Sequence, residues 1–168
     1  EKEIEDRFFA PLKFGTAGLR GVLGLGTNRM NVYTVRQATQ GLCEVIKKLD
    51  KKTMQRGVAV CMDSRINSDI FAREVACILA GNGIPVYIFE SLRPTPELSF
   101  AIRALECIAG INITASHNPK EYNGYKAYWE DGAQIGPEQA ETVTRERESF
   151  DVLDTQGLAD YEAALENG

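Results

Sequence analysis

Histidine is nearly absent from this sequence, and short metal-binding motifs are missing. His117 is the single histidine, and no two of the four cysteines form a Cys-x-x-Cys pair. A single histidine and the absence of a Cys-x-x-Cys pair disfavour a zinc site made of cysteine and histidine. Each cysteine instead lies within an apolar helix or strand pattern, which predicts small core residues in a reducing, cytoplasmic compartment. The four are Cys43, Cys61, Cys77 and Cys107.

The sequence also has little positive charge and no long apolar run. Its 19 Lys and Arg against 24 Asp and Glu give a formal net charge of -5, which disfavours a nucleic-acid surface because such surfaces are basic. No apolar run approaches the ~20 residues of a membrane-spanning helix. The charged residues 1–6 do not resemble a signal peptide. We therefore expect no nucleic-acid partner and no membrane partner, and any phosphate must be held by local cations.

Nucleotide-binding fingerprints are missing from the glycine-rich segment as well. Five glycines fall within residues 15–26, but neither a Walker loop nor a Gly-x-Gly-x-x-Gly pattern occurs there. Such a segment forms either a tight turn before a strand or a backbone that approaches a ligand closely. Arg20 is a lone cation among these small residues, which keeps the ligand interpretation open.

Apolar patterns along the rest of the chain indicate one domain with a proper core, since 43% of the 168 residues are hydrophobic. Asn31 and Ser68 are placed to cap helices, and Pro137 suits a first helical turn. Helices are predicted over residues 4–12, 32–49, 69–80, 97–105, 137–149 and 155–165. Strands are predicted over residues 19–25, 57–62, 85–89, 107–113 and 125–129. This alternation indicates an α/β layered domain.

The segment at residues 114–126 is the candidate chemical centre of the chain. It follows the apolar strand at residues 107–113, and its Asn-Pro pair ends regular structure. Ser116 therefore lies on a loop past the carboxyl end of a strand, where open α/β sheets bind ligands. A serine hydroxyl needs a base, a cation or a metal to become reactive. The residue types alone leave open whether Ser116 is reactive or an ordinary loop serine.

Two kinds of serine chemistry can be weighed. A serine hydrolase is disfavoured, because Gly-x-Ser-x-Gly is absent and the side chain of the adjacent His117 is expected to point away from Ser116. Phosphoryl transfer fits better, since it needs cations and donors around a phosphate. Lys126 could supply a cation or a proton, Arg20 a bidentate fork, and His117 and Asn118 further donors.

Two separated motifs resemble signatures of the α-D-phosphohexomutase superfamily, which comprises phosphoglucomutases, phosphomannomutases and relatives. Residues 113–126 are similar to its active-site signature and residues 14–21 to its N-terminal signature. Residues 63–65 and 93–99 fall at the expected places, and residues 26–31 are most similar to the bacterial phosphoglucomutase and phosphopentomutase branch. The resemblance implies that residues 1–150 are domain I of such an enzyme, a three-layer α/β/α domain. Its sheet would be mixed and four-stranded, with one antiparallel strand, and residues 151–168 would be a boundary helix or linker.

The resemblance also implies an activity and a set of site residues. The full-length protein would be an intramolecular phosphotransferase that interconverts a sugar 1-phosphate and a sugar 6-phosphate, with glucose as the first choice. Ser116 would carry the phosphoryl group, and a bisphosphorylated sugar would be the intermediate. Arg20 and Lys126 would be the candidate proton-transfer groups and phosphoserine neighbours, while His117 and Asn118 would contact substrate or phosphate. Ser116 would also ligate the catalytic Mg²⁺ through a phosphoryl oxygen, and glucose 1,6-bisphosphate or a similar compound would be the activator.

Several features of the superfamily are not found in this chain. Its enzymes have four domains, so domains II–IV would be the missing partners, and the magnesium-binding Asp-Gly-Asp-x-Asp-Arg loop does not occur here. We therefore expect the chain to fold without turning over substrate. Glucose, mannose, glucosamine and pentose phosphates all remain open. A non-catalytic phosphosugar-binding or regulatory module of the same fold is the alternative, and a structural subunit is a third class. Arg65 could brace the Ser116 loop or touch phosphate.

Overall fold

A computed structural model describes residues 1–15, 18–154 and 157–166. Helices and strands alternate through most of them, which confirms the predicted α/β class. The helices are α1 (Lys2–Phe8), α2 (Val32–Lys47), α3 (Lys51–Met54), α4 (Ser68–Gly81), α5 (Thr95–Ala104), α6 (Pro137–Glu148) and α7 (Tyr161–Glu166). The strands are β1 (Gly18–Val22), β2 (Val58–Met62), β3 (Val86–Ile88), β4 (Ala109–Ile113) and β5 (Tyr122–Trp129).

The strands form one mixed sheet in the order β1-β5-β4-β2-β3. β2 runs parallel to β3 and β4, whereas β5 is antiparallel to both β4 and β1. The expectation of one antiparallel strand is therefore confirmed, and that strand is β5. The expectation of four strands is wrong, because all five residues of β1 pair with β5, from Gly18 opposite Lys126 to Val22 opposite Tyr122.

Helices cover both faces of the sheet, which gives the predicted three layers. On one face α2 and α4 enclose the larger core, and α6 packs against α2. On the other face α5 packs over β2 and β4, and its Leu98 and Ile102 contribute to a smaller core. All four cysteines are free and buried within these layers, as predicted.

The sequence predicts which residues cap two of the helices, and one of these predictions is confirmed. Asn31 caps α2 as predicted: its side-chain oxygen accepts from the Thr34 amide at 3.0 Å, and the Thr34 hydroxyl oxygen accepts from the Asn31 amide at 3.1 Å. The prediction that Ser68 caps α4 is wrong. Asn67 is the cap residue in a left-handed conformation, and the Ser68 hydroxyl donates instead to Asp63 Oδ1 at 3.0 Å.

Element ends differ from the predictions for local reasons. The first helix ends at Phe8 rather than residue 12, before Pro11, and the short helix α3 was not predicted although Asp50 caps it. α7 begins only at Tyr161, and residues 155 and 156 of the predicted last helix lie outside the described residues. Among the helices that the structure describes, none is both long enough and apolar enough to cross a lipid bilayer.

Candidate active site

Ser116 lies just past the carboxyl end of the central strand β4, as the sequence predicts. The chain turns there because Ser116 adopts a left-handed conformation with φ of 56°, and its amide donates to Thr114 Oγ1 at 3.2 Å. This turn brings Ser116 Oγ to 3.3 Å from His117 Nδ1. The expectation that the two side chains point apart is wrong, since it assumed an extended backbone. The Ser116 side chain is exposed, so the hydroxyl is open to a ligand.

Arg65 contacts the Ser116 loop from the side of β2. Its guanidinium donates to the carbonyl oxygens of Ser116, Asn118, Pro119 and Tyr122 at 2.7 to 3.0 Å. Of the two roles left open for Arg65, bracing the loop is the one its contacts fit.

The strands β1 and β5 carry the two predicted cations. Arg20 pairs with Gly124 and Gly18 pairs with Lys126, so Arg20 and Lys126 occupy the same face of the sheet, two residues apart in register. Arg20 Nη1 donates to Asn118 Oδ1 at 3.0 Å, which ties β1 to the Ser116 loop. The structure therefore brings Arg20 to Asn118 by a hydrogen bond and to Lys126 by strand pairing, and Ser116 lies two residues before Asn118 on the same loop.

A cleft of about 320 Å³ opens beside these cations. It is lined by the side chains of Lys13, Arg20, Lys126 and Gln134 and by Gly15, Gly18 and Leu19. Three of these side chains are cationic and none of the described lining residues is acidic, so the cleft suits an anion. Residues 16 and 17 of the predicted N-terminal signature lie outside the described residues. A larger groove of about 580 Å³, beside β3 and α7, is mostly aliphatic and lacks such charges.

The surroundings of Lys126 in this cleft lower the pKa of its side chain. Partial burial lowers its pKa below the ordinary value, the positive charge of Arg20 lowers it further, and the carboxylate of Asp63 opposes the change. A lysine with a lowered pKa releases and accepts a proton more readily near neutral pH.

A buried polar network behind the loop was not predicted. Asn123 Nδ2 donates to the Ile66 carbonyl and to Ser68 Oγ, each at 3.0 Å, and the Ser68 hydroxyl donates to Asp63 Oδ1. The neighbouring Gly124 leaves no room for a side chain, because a Cβ there would lie 2.6 Å from the Thr114 carbonyl oxygen. The Asn-Gly pair at these positions was the only available signal, and it is more typical of turns.

A magnesium ion would need ligands that the described residues do not assemble. Within the described ranges there is no group of three or more His, Cys, Asp or Glu side chains that could hold a metal. Mg²⁺ prefers carboxylate, phosphate and water oxygens in octahedral geometry. Ser116, when phosphorylated, would offer phosphoryl oxygens from one position only, so these residues do not form a magnesium site by themselves.

Comparisons with known proteins agree with this geometry. Residues 11–151 match the family model for the phosphoglucomutase/phosphomannomutase alpha/beta/alpha domain I. The chain is 42% identical to a phosphoglucomutase of Staphylococcus saprophyticus over 168 residues, covering all of this chain and 30% of that protein. It is 45% identical to a phosphopentomutase of Pongo abelii over 141 residues, covering 80% of this chain and 23% of that protein.

A solved structure shares the fold as well. The crystal structure of a Thermus thermophilus protein, assigned as a phosphomannomutase, superposes with a TM-score of 0.76 at 31% identity. The match covers 90% of this chain and 32% of that one, so this chain spans under a third of the length of each of these relatives. Because the matching family model covers most of its residues, the chain belongs to the domain I family of phosphoglucomutases and phosphomannomutases.

Proposed function

We propose that Ser116 carries the phosphoryl group of a phosphosugar mutase and exchanges it with a sugar phosphate. The observation that carries this proposal is the placement of its exposed hydroxyl on a left-handed turn, joined through the Arg20–Asn118 hydrogen bond to a cleft lined by cations. Phosphoryl transfer depends mainly on positioning and on positive charge around the phosphate. Membership of the domain I family supports the same chemistry.

In the first half of the reaction a hydroxyl oxygen of the sugar phosphate attacks the phosphorus carried by Ser116. The bond between phosphorus and Ser116 Oγ breaks, the sugar hydroxyl gives up its proton, and the serine oxygen accepts one. The products are a bisphosphorylated sugar and a free serine hydroxyl. In the second half, the bisphosphate reorients and its other phosphoryl group returns to Ser116, so that the phosphoryl group has changed ends on the sugar.

Arg20 and Lys126 have different parts in this proposal. A guanidinium does not deprotonate in proteins, so Arg20 holds phosphoryl oxygens and stays charged throughout. Lys126 has the lowered pKa and is the group that exchanges the proton. His117, with its Nδ1 3.3 Å from Ser116 Oγ, contacts the phosphoryl group or the sugar. Asn118 orients Arg20 through its side-chain oxygen.

The substrate is proposed to be a glucose phosphate, with glucose 1,6-bisphosphate as activator and Mg²⁺ as the metal of the full-length protein. A pentose phosphate is the second candidate, because the phosphopentomutase of Pongo abelii is 45% identical to this chain while the phosphoglucomutase of Staphylococcus saprophyticus is 42% identical. Turnover of glucose 1-phosphate and of ribose 1-phosphate by the complete protein, compared as kcat/KM, decides between them.

Phosphorylation of Ser116 is the direct test. The complete protein is incubated with glucose 1,6-bisphosphate or ribose 1,5-bisphosphate, digested and analysed by mass spectrometry. We expect one phosphoryl group on the peptide that contains Ser116, and none in Ser116→Ala. Ser149→Ala is the matched control, because Ser149 is also exposed but its hydroxyl only donates to the Glu146 carbonyl; it should label like the unmodified protein.

The non-catalytic binding module predicts the opposite outcomes. It would bind the bisphosphate without covalent labelling, and it would leave the mutase activity of the complete protein intact in Ser116→Ala. Either observation would overturn the proposed role of Ser116.

A further inference from the structure

We infer that Arg65 is a positioning residue that holds the loop of residues 116–122 in the conformation from which Ser116 exchanges its phosphoryl group. The inference rests on the function proposed above. Arg65 acts by holding the backbone of the loop in place, and it does not contact the substrate.

Four of the five N–H groups of the Arg65 guanidinium donate to carbonyl oxygens of the loop. Nη1 donates to the carbonyls of Pro119 and Tyr122 at 2.9 and 3.0 Å, and Nη2 donates to those of Ser116 and Asn118, both at 2.7 Å. Nε lies 3.5 Å from Asp63 Oδ2. An arginine has five N–H groups; four of them donate to carbonyls of the loop and the fifth, on Nε, lies beside the Asp63 carboxylate, so the guanidinium is engaged by the loop and by Asp63. Arg20 differs from Arg65 in the number of its hydrogen bonds. Among the described residues its guanidinium donates to Asn118.

The carbonyls of Ser116 and Asn118 lie in a turn, where they do not pair as strand carbonyls do, whereas the Pro119 carbonyl also accepts from the Tyr122 amide at 3.0 Å. Ser116 holds a left-handed backbone, which serine adopts rarely, and Pro119 has no amide to offer. A carbonyl that accepts a hydrogen bond from Arg65 does not need water as its partner, so the loop has less tendency to open towards solvent. Loss of the guanidinium would free the loop to adopt other backbone conformations, and Ser116 Oγ would spend less time in the reactive geometry.

The position of Arg65 is itself fixed from behind. Asp63 Oδ1 accepts from the Arg65 amide at 3.0 Å and from the Ser68 hydroxyl at 3.0 Å, and Ser68 Oγ accepts from Asn123. Asp63, which follows β2, thus holds the backbone of Arg65 and lies beside its guanidinium, and it is supported in turn by Ser68 of α4 and Asn123 of β5. Such support is what a group needs in order to hold a reacting atom within fractions of an ångström.

The chain contains a matched control at the opposite end of the sheet. Arg56 donates to the carbonyls of Glu106 and Cys107 and pairs with Glu130. Glu106 is also left-handed, with φ of 54°, and it precedes β4, whereas Ser116 follows β4. Arg56→Gln therefore removes an arginine brace of the same kind far from the reactive loop.

The test compares Arg65→Gln, Arg65→Lys and Arg56→Gln in the complete protein. We expect Arg65→Gln to lower kcat by roughly 100-fold, as displacements of about 1 Å can do, with the KM for sugar phosphate changed less than about threefold because no substrate contact is lost. Arg65→Lys should recover part of kcat, since an ammonium can reach some of the carbonyls. Arg56→Gln should keep kcat within about twofold.

Amide hydrogen exchange on the chain gives a readout that is independent of turnover. Exchange over residues 114–122 should quicken in Arg65→Gln and stay unchanged in Arg56→Gln. A large rise in KM at constant kcat would show that Arg65 binds substrate, and equal losses in both variants would show a general loss of stability; either result overturns the inference. Should Ser116 of the unmodified protein never become phosphorylated, the proposed function fails, while hydrogen exchange still decides whether Arg65 holds the loop.

Discussion

Ser116 combines an exposed hydroxyl with a backbone conformation that glycine adopts more easily than any other residue. The two properties can be separated by substitution. Ser116→Ala removes the hydroxyl and keeps the backbone strain, whereas Ser116→Gly removes both. We expect Ser116→Gly to be more stable than Ser116→Ala by about 1 kcal/mol, the cost of a left-handed residue with a Cβ. Urea unfolding of the chain measures this difference, and a more stable alanine variant would contradict the left-handed turn.

The charge of Arg20 should be detectable in the titration of Lys126. Because that charge lowers the pKa of Lys126, Arg20→Gln should raise the pKa towards the ordinary value, while the remote Arg56→Gln should leave it unchanged. Side-chain NMR of labelled lysine follows the titration directly. In the complete protein the alkaline limb of the pH–activity profile should move to higher pH by the same amount.

The lowered pKa of Lys126 also has a consequence for stability. In the interval between its lowered folded value and its ordinary unfolded value, the unfolded chain binds more protons, so stability rises with pH across that interval. The destabilising contribution is fully present below the lowered folded pKa and is lost as the pH rises from there to the unfolded pKa. Lys126→Met should remove this alkaline gain, as pH-dependent urea unfolding can show; an unchanged pH dependence would contradict the lowered pKa.

Residue types and the family resemblance singled out Ser116, Arg20 and Lys126 as candidates, but not the residues that hold them in place. Ser116 precedes an Asn-Pro pair after an apolar strand and Arg20 is a lone cation among glycines, so both are visible locally, and their roles stay predictions. The role of Arg65 was left open because its four carbonyl partners lie 51 to 57 positions further along the chain. No local pattern encodes a hydrogen bond of that span.

At the scale of elements, β5 is the strand that brings the site together. It pairs with β4 on one side and with β1 on the other, so it lies between the reactive loop and Arg20. The sequence predicted its start at residue 125, yet it starts at Tyr122. The prediction left Asn123 and Gly124 outside the strand, whereas both belong to β5 and the buried Asn123 amide donates to Ile66 and Ser68.

Gly124→Ala should disturb the pairing of β5 with β4 and β1. A Cβ at position 124 would lie 2.6 Å from the Thr114 carbonyl oxygen and 2.8 Å from the Leu19 carbonyl oxygen, and neither backbone can move without disturbing the sheet. We expect a loss of about 1 to 3 kcal/mol in the free energy of unfolding, as for other overpacked sites. Gly15→Ala is the control, because its Cβ would make only an ordinary contact at 3.7 Å. Equal losses in the two variants would contradict the steric argument.

At the scale of the whole molecule, alternation of strands and helices predicted the layers, and the apolar pattern predicted all five strands. The family resemblance implied four strands, and that number was wrong. β1 is short and contains two glycines, so its membership of the sheet depends on pairing with β5, at least 100 positions away. Local propensity does not determine such a pairing.

The chain alone should fold and still fail as a catalyst. Its described residues assemble no carboxylate site for Mg²⁺, and the relatives it matches are more than three times longer. We expect cooperative thermal unfolding, no measurable conversion of glucose 1-phosphate to glucose 6-phosphate with Mg²⁺ and bisphosphate, and no saturable Mg²⁺ binding by calorimetry at millimolar concentrations. The complete protein is the positive control, and turnover by this chain would contradict the expectation.

The order of the sheet places the Ser116 loop and Arg20 on strands that have different numbers of neighbours. The loop follows β4, which is held by neighbours on both sides, whereas Arg20 lies on β1, which among the described strands has a neighbour on one side only. Edge strands fray at lower free energy than central ones. Local opening at this edge would move Arg20 away from the cleft while Ser116 keeps its place at the end of β4, so the positive charge beside the cleft would depend on β1 staying paired with β5.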